Sequence, residues 1–136
     1  MRFDTKIAIA VRGDLAAWQK LNVTAFLAGA IAASDAAIIG APYEDADGGR
    51  YLPLFRQPVL VFAGDGAALR RAFDRGRERN VRMAIYTEPM FATGHDEANR
   101  AAVRAVAAAD QNLVGLALHD GRKTVDSVLK GLALHP

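Results

Sequence analysis

Two periodicities alternate along this chain. Residues 6–13, KIAIAVRG, are apolar at nearly every position and close on a glycine. A segment with no polar side to turn toward water predicts a strand covered on both faces of a sheet. VLVFAG (59–64) repeats that signature, and VRMAIYTE (81–88) and NLVGLALH (112–119) supply a third and a fourth strand. Between the strands the period lengthens to that of a helix. Leu15, Trp18, Leu21, Ala25 and Ala28 recur in alanine-rich surroundings behind Asp14, which predicts a helix of about five turns capped by that aspartate. DGAALRRAFDRGRERN (65–80) reads as a second helix, capped by Asp65 and ended near Asn80. Residues 98–109 are helical by propensity, and TVDSVLKGLAL (124–134) gathers Val125, Val128, Leu129 and Leu132 on one face of a last helix. Residues 41–58 hold three prolines and a Gly-Gly pair, an irregular connection with room for a short hairpin. Strands alternating with helices predict a three-layer α/β/α sandwich around a mixed, mostly parallel sheet of four or five strands.

Composition narrows the classes. The 136 residues, 51% of them hydrophobic, are enough for one domain, taken here as residues 1–136, that buries roughly two thirds of its unfolded surface. A formal charge of +2 gives no argument for nucleic acid. Having no cysteine, the chain can form no disulfide, thiolate metal site or cysteine nucleophile. The apolar run near the N-terminus is broken by Arg12 and Asp14, too early for a signal-peptide core or a spanning helix. A cytoplasmic protein with no membrane association is therefore expected. The arginines from Arg70 to Arg82 are interrupted by Asp74 and Glu78 at ion-pair spacing. They read as a solvated helix face ahead of a phosphate-binding stripe for RNA.

In open parallel sheets, ligands gather outside the carboxyl ends of the strands. Those ends hold Arg12, Gly13 and Asp14, then Gly64 and Asp65, then Thr87, Glu88 and residues 93–96. The stretch FATGHDEANRAA (91–102) has two readings. In one, Thr93 or Asp96 caps a helix, with acids at its positive end. In the other, His95 shuttles a proton while Glu88 polarises it or orients a water. A metal held by His95, Asp96 and Glu97 is disfavoured, because sequence neighbours seldom converge on one ion. No metal or cofactor is expected. Asn22 and Thr24 lie inside the first helix, where neither has good propensity, which suggests a hydrogen-bonding task toward a loop or a ligand. GDGAAL lacks the third glycine of a dinucleotide loop, and DADGG lacks the closing glutamate of a calcium loop, its place being taken by Arg56.

The stretches WQKLNVTAFLAG, DADGG, EPMFATGHDEAN and LVGLAL resemble a bacterial family catalogued as a domain of unknown function, number 2000. More distantly, the order of elements is similar to the type-two peptidyl-tRNA hydrolases. That second resemblance implies a peptidyl-tRNA hydrolase II-like fold and places the hydrolase lysine at Lys20, with the hydrolase aspartate near Thr87 or Glu88. It implies that Lys20 meets a phosphate or a developing oxyanion. The hydrolase glutamine falls at Thr24 and its histidine at Leu27. Together these readings nominate Lys20, Glu88 and His95 for catalysis and Arg12, Asp14, Asn22, Thr24 and Thr93 for ligand binding. The expected function is hydrolysis or small-ligand binding at the strand ends, on a small-molecule or tRNA-linked ligand. A non-enzymatic binding or regulatory module is the alternative, and RNA binding an outsider. Alanine-rich helix faces suggest a homodimer.

Overall fold

The computed structural model describes residues 2–136. The chain runs through β1 (Thr5–Arg12), α1 (Ala17–Ser34), β2 (Tyr43–Glu44), β3 (Arg50–Tyr51), β4 (Val59–Gly64), α2 (Gly66–Glu78), β5 (Met83–Thr87), α3 (Asp96–Arg104), β6 (Leu113–Gly121), α4 (Arg122–Val128) and β7 (Ala133–Leu134). Short 3-10 turns occupy Ala36–Ile38, Glu88–Ala92 and Ala108–Asp110. The five-stranded sheet has the order β5-β6-β1-β4-β7, and β2 and β3 form a separate hairpin inside the long connection.

The fold is α/β with a mixed sheet, but the expectation of mostly parallel pairing is corrected. Only β1 and β4 pair in parallel, whereas β1 with β6, β5 with β6, and β4 with β7 are antiparallel. A strand buried on both faces carries no mark of direction in its sequence, because parallel and antiparallel neighbours bury the same side chains. One feature of the parallel picture remains. β1, β4 and β5 all point the same way, so their carboxyl ends open on one rim.

Alternation along β1 feeds two cores. Ile7, Ile9 and Val11 face α1 and meet Val23, Leu27 and Ile31. Ala8 and Ala10 face the opposite side with Leu69, Ala72 and Phe73 of α2 and Val125 and Val128 of α4. Period-two alternation in a central strand produces this division.

The α1 face differs from the expected one. Trp18 and Leu21 are exposed, and the buried residues are Val23, Leu27 and Ile31. In an alanine-rich helix the spacing admits several stripes, and the sheet selects the β-branched and leucine side chains. Asp14 does not cap this helix; its carboxylate accepts from Arg12 Nε at 2.6 Å. The cap position is Ala16, whose N–H donates to Gln19 Oε1 at 3.0 Å. Asp65 does cap α2, accepting from Ala68 N at 2.8 Å, and the helix is followed by Asn80 at φ +53°. α3 is shorter than the sequence suggests. Gln111 Nε2 donates to the carbonyls of Val103 and Val106 at 2.8 and 2.9 Å, which satisfies the orphan groups of an early end. The last helix also stops early, at Val128, and Gly131 at φ +94° turns the chain into β7.

Arg70 and Arg75 of α2 act as clamps. Arg75 donates to the carbonyls of Val128 and Lys130 at 3.0 and 2.5 Å, holding the end of α4. Arg70 pairs with Asp74 and reaches the Ala108 carbonyl at 2.9 Å. The hairpin turn is closed by Asp45, which accepts from the N–H groups of Asp47 and Gly49 and from the Tyr51 hydroxyl. No helix among the described residues is long and apolar enough to cross a membrane.

At Gly115 of β6 the helix α1 lies close against the sheet. A Cβ there would lie 2.5 Å from Val23 Cγ1 and 3.0 Å from Leu27 Cδ1. Next to it the β5–β6 register slips between Tyr86 and Thr87, a bulge that leaves Val114 without a partner and turns its side chain into the α1 core. Gly115→Ala is expected to destabilise the fold by about 1–3 kcal/mol through overpacking. Denaturant unfolding measures this, and an unchanged midpoint would mean that α1 is free to shift.

Candidate functional site

The main concavity lies between α1 and α3, above the β5 edge of the sheet. Its volume is about 750 Å³, within the range of small-molecule sites. One wall is a ladder on α1, Trp18, Asn22, Phe26 and Ala30, spaced four residues apart so that one flank of the helix carries them all. The floor is Ala84 and Tyr86 of β5, and the turn after β5 adds Met90 and Phe91. The opposite wall is α3, through His95, Asn99 and Val103 on one row and Asp96, Arg100 and Arg104 on the next.

Four aromatic rings line the cleft as a chain of contacts, the two outer pairs edge-on and the central pair tilted. Trp18 stands 6.1 Å from Phe91, Phe91 5.2 Å from Tyr86, and Tyr86 5.8 Å from Phe26, centroid to centroid. Offset and edge-on packing at these distances is favourable. Even so, Trp18 is 62% and Phe26 55% exposed, so the outer pair present apolar faces to the open cleft. Tyr86 is only 4% exposed. Burial pushes its phenol above the ordinary value of 10.0, and a hydrogen bond from Asn22 partly opposes that rise.

The entrance of α3 settles the two readings of FATGHDEANRAA in part. His95 is the capping residue, its Nδ1 accepting from Ala98 N at 3.2 Å; neither Thr93 nor Asp96 caps. An accepting Nδ1 leaves the proton on Nε2. Thr93 Oγ1 donates to the Met90 carbonyl at 2.8 Å and contacts the Asn99 side chain, which ties the turn to the helix. Asp96 pairs with Arg100 one turn along.

The structure gathers some of the nominated residues and separates others. Asn22, Thr93 and His95 line the cleft. Lys20 lies two residues from Asn22, about 200° around the helix, and its Nζ donates to His135 Nε2 at 3.2 Å beside β7. Thr24 shares that flank, half-buried and away from the cleft. Glu88 is exposed on the rim, its N–H donating to the Asn112 carbonyl at 2.9 Å. Arg12 and Asp14 sit on the same rim, with Arg12 Nη1 reaching Asn112 Oδ1 at 3.5 Å. Lys20, Glu88 and His95 therefore do not border one cavity. Trp18, Phe26, Tyr86, Phe91, Arg100 and Arg104 were not nominated from the sequence. The four-residue ladders on α1 and α3 carried the signal for Trp18, Phe26, Arg100 and Arg104, whereas Tyr86 on β5 and Phe91 in the turn after it had no such local mark. Among the described residues there is no group of three or more His, Asp or Glu placed to hold a metal ion.

The family model described as a protein of unknown function, DUF2000, matches residues 5–136. The chain belongs to the DUF2000 family. A solved structure of a protein of unknown function from Agrobacterium tumefaciens strain C58 is 50% identical in sequence and superposes with a TM-score of 0.97. The match covers 99% of this chain and 100% of that one. A search of curated proteins finds no match.

Two outcomes follow from the site geometry. His95→Ala removes the α3 cap and is expected to cost about 0.5–2 kcal/mol, whereas His95→Asn retains a capping acceptor and recovers most of it. Equal losses in both variants, measured by denaturant unfolding, would mean that the cap does not stabilise α3. Because the folded phenol of Tyr86 titrates above its ordinary value, its contribution to stability is complete below the unfolded value. It is lost as pH rises through the folded one. Tyr86→Phe is expected to flatten the alkaline limb of a stability profile, and an unaltered limb would contradict this.

Proposed function

We propose that this DUF2000 chain binds a small, largely apolar molecule in the cleft between α1 and α3, without turning it over. The observation that carries the reading is the exposed aromatic pair, Trp18 and Phe26, standing over a cavity of about 750 Å³. Leaving large rings uncovered costs the burial free energy they would otherwise gain, roughly 25 cal/mol per Å² of apolar surface. An apolar ligand seated between the helices recovers it. Polar groups at the cleft wall, Asn22, Thr93, Asn99 and His95, supply a few orienting hydrogen bonds, the usual makeup of a small-molecule site.

Binding is preferred to hydrolysis because the nominated catalytic groups are engaged elsewhere. Lys20 is bonded to His135, Glu88 stands on the rim, and the His95 nitrogen that would act as a base already accepts the capping N–H. A peptidyl-tRNA or other tRNA-linked ligand is not favoured either. Of the arginines that would face phosphates, Arg70 is held by Asp74 and the Ala108 carbonyl and Arg75 by the carbonyls of Val128 and Lys130, and no exposed aromatic platform for a nucleotide base is interleaved with the run. A peptidyl-tRNA hydrolase II-like architecture remains an expectation from the order of elements, as does a homodimer through helix faces.

Trp18 is the sole tryptophan of the chain, so its fluorescence reports directly on the cleft. Titration with a neutral flat probe such as N-phenylnaphthylamine is expected to give saturable quenching. Ala30→Phe, which fills the exposed fourth step of the α1 ladder, is expected to weaken binding by about tenfold or more, a change of at least ~1.4 kcal/mol. Absence of saturable quenching, or equal binding by Ala30→Phe with its circular dichroism unchanged, would show that the cleft is not a ligand site.

A further inference from the structure

We infer that the ligand of this cleft carries a single carboxylate, held by Arg104 at the far end of α3; this rests on the cleft being a ligand site. The charges on its walls decide the sign. Asp96 is the acid among the lining residues, and it is already neutralised by Arg100 one turn along the same helix. Arg104 lines the same wall and has no ion-pair partner among the described residues. The cleft is therefore left with one uncompensated positive charge beside an aromatic cradle.

The placement makes that charge useful to a bound molecule. Rings and alkyl side chains line the same groove as Arg104, among them Val103, Phe26 and Ala30. A ligand filling the groove displaces water from their surfaces, and a charge contact bordered by excluded water is stronger than one in bulk solvent. A guanidinium offers paired N–H donors in a planar fork that matches the two oxygens of a carboxylate. One free guanidinium matches one negative charge better than two, so a carboxylate is favoured over a phosphate monoester. The molecule that fits is an aromatic or aliphatic acid with its apolar body between Trp18, Phe26 and Tyr86 and its head at Arg104. A neutral molecule leaves the Arg104 charge without a partner, and a cation meets it with repulsion.

The test uses four naphthalene compounds that differ in the head group alone: carboxylic acid, methanol, methylamine and phosphate monoester. Each is titrated against the intact chain at low ionic strength, with Trp18 fluorescence as the readout. The acid is expected to bind about tenfold more tightly than the alcohol, the size of one charge-assisted contact, and the amine least tightly. Arg104→Gln is expected to bring the acid-to-alcohol ratio to about one; Arg104 is exposed, so the fold tolerates the change. Raising the salt is expected to weaken the acid and not the alcohol. Equal binding of acid and alcohol, or a ratio that survives Arg104→Gln, overturns the carboxylate while leaving the apolar site standing. Tighter binding of the phosphate by more than tenfold also overturns it. Failure of all four compounds to bind removes the cleft reading and this inference together.

Discussion

The structure depends on the way β1 is shared by two cores. Its Ile7, Ile9 and Val11 fill the space beneath α1, while Ala8 and Ala10 let α2 and α4 lie close on the other side. The strand pairs along most of its length with β4 and with β6, from Ile7 opposite Val59 to Arg12 opposite Gly64 on one side and from Thr5 opposite Gly121 to Val11 opposite Gly115 on the other. All of Ile7 to Ala10 is without solvent exposure. A register slip of one residue would exchange the large and small faces and leave both helical layers mispacked, so the position of every other element is tied to this strand.

The cleft follows from that arrangement. Gly115 lets Val23 and Leu27 press α1 onto β6 and β1, which fixes the roll of the helix. With those residues turned down, Trp18, Asn22, Phe26 and Ala30 are carried over the β5 edge. There the sheet ends, β5 being its edge strand. The chain leaves β5 through the Glu88–Ala92 turn, and α3 stands off as the far wall, started by the His95 cap and joined to the turn by Thr93. The aromatic rings bridge the corner in a chain of edge-on and tilted contacts and leave it open.

The polar groups divide by task. On the rim, Arg12 bonds to both Asp14 and Asn112, and on α2 Arg75 closes the end of α4 while Arg70 holds the Ala108–Asp110 turn. Such groups are satisfied within the fold. Thr87 is the exception: its hydroxyl, on a residue 1% exposed, has no partner among the described residues. It sits at the register slip between β5 and β6, and the bulge that shapes the cleft floor costs the fold one buried hydrogen bond at this point.

The sequence by itself determined the elements and their kind. Unbroken apolar runs marked β1, β4, β5 and β6, Asp65 marked the start of α2, and the proline-rich connection marked the hairpin, because burial on two faces, capping and turn chemistry are local properties written in neighbouring residues. It also singled out Asn22, Thr93 and His95, polar groups at odds with their surroundings. Strand direction, the buried side of α1 and the early end of the last helix were decided by the tertiary structure. Each depends on which surface a segment meets, and the same residues are compatible with more than one. The separation of Lys20 from Asn22 has the same origin: two residues apart in the chain, they fall on opposite flanks once Val23 and Leu27 have turned toward the sheet. The cleft itself belongs to α1, β5 and α3 together, and only their packing brings a ring at 18, a phenol at 86 and a guanidinium at 104 around one space.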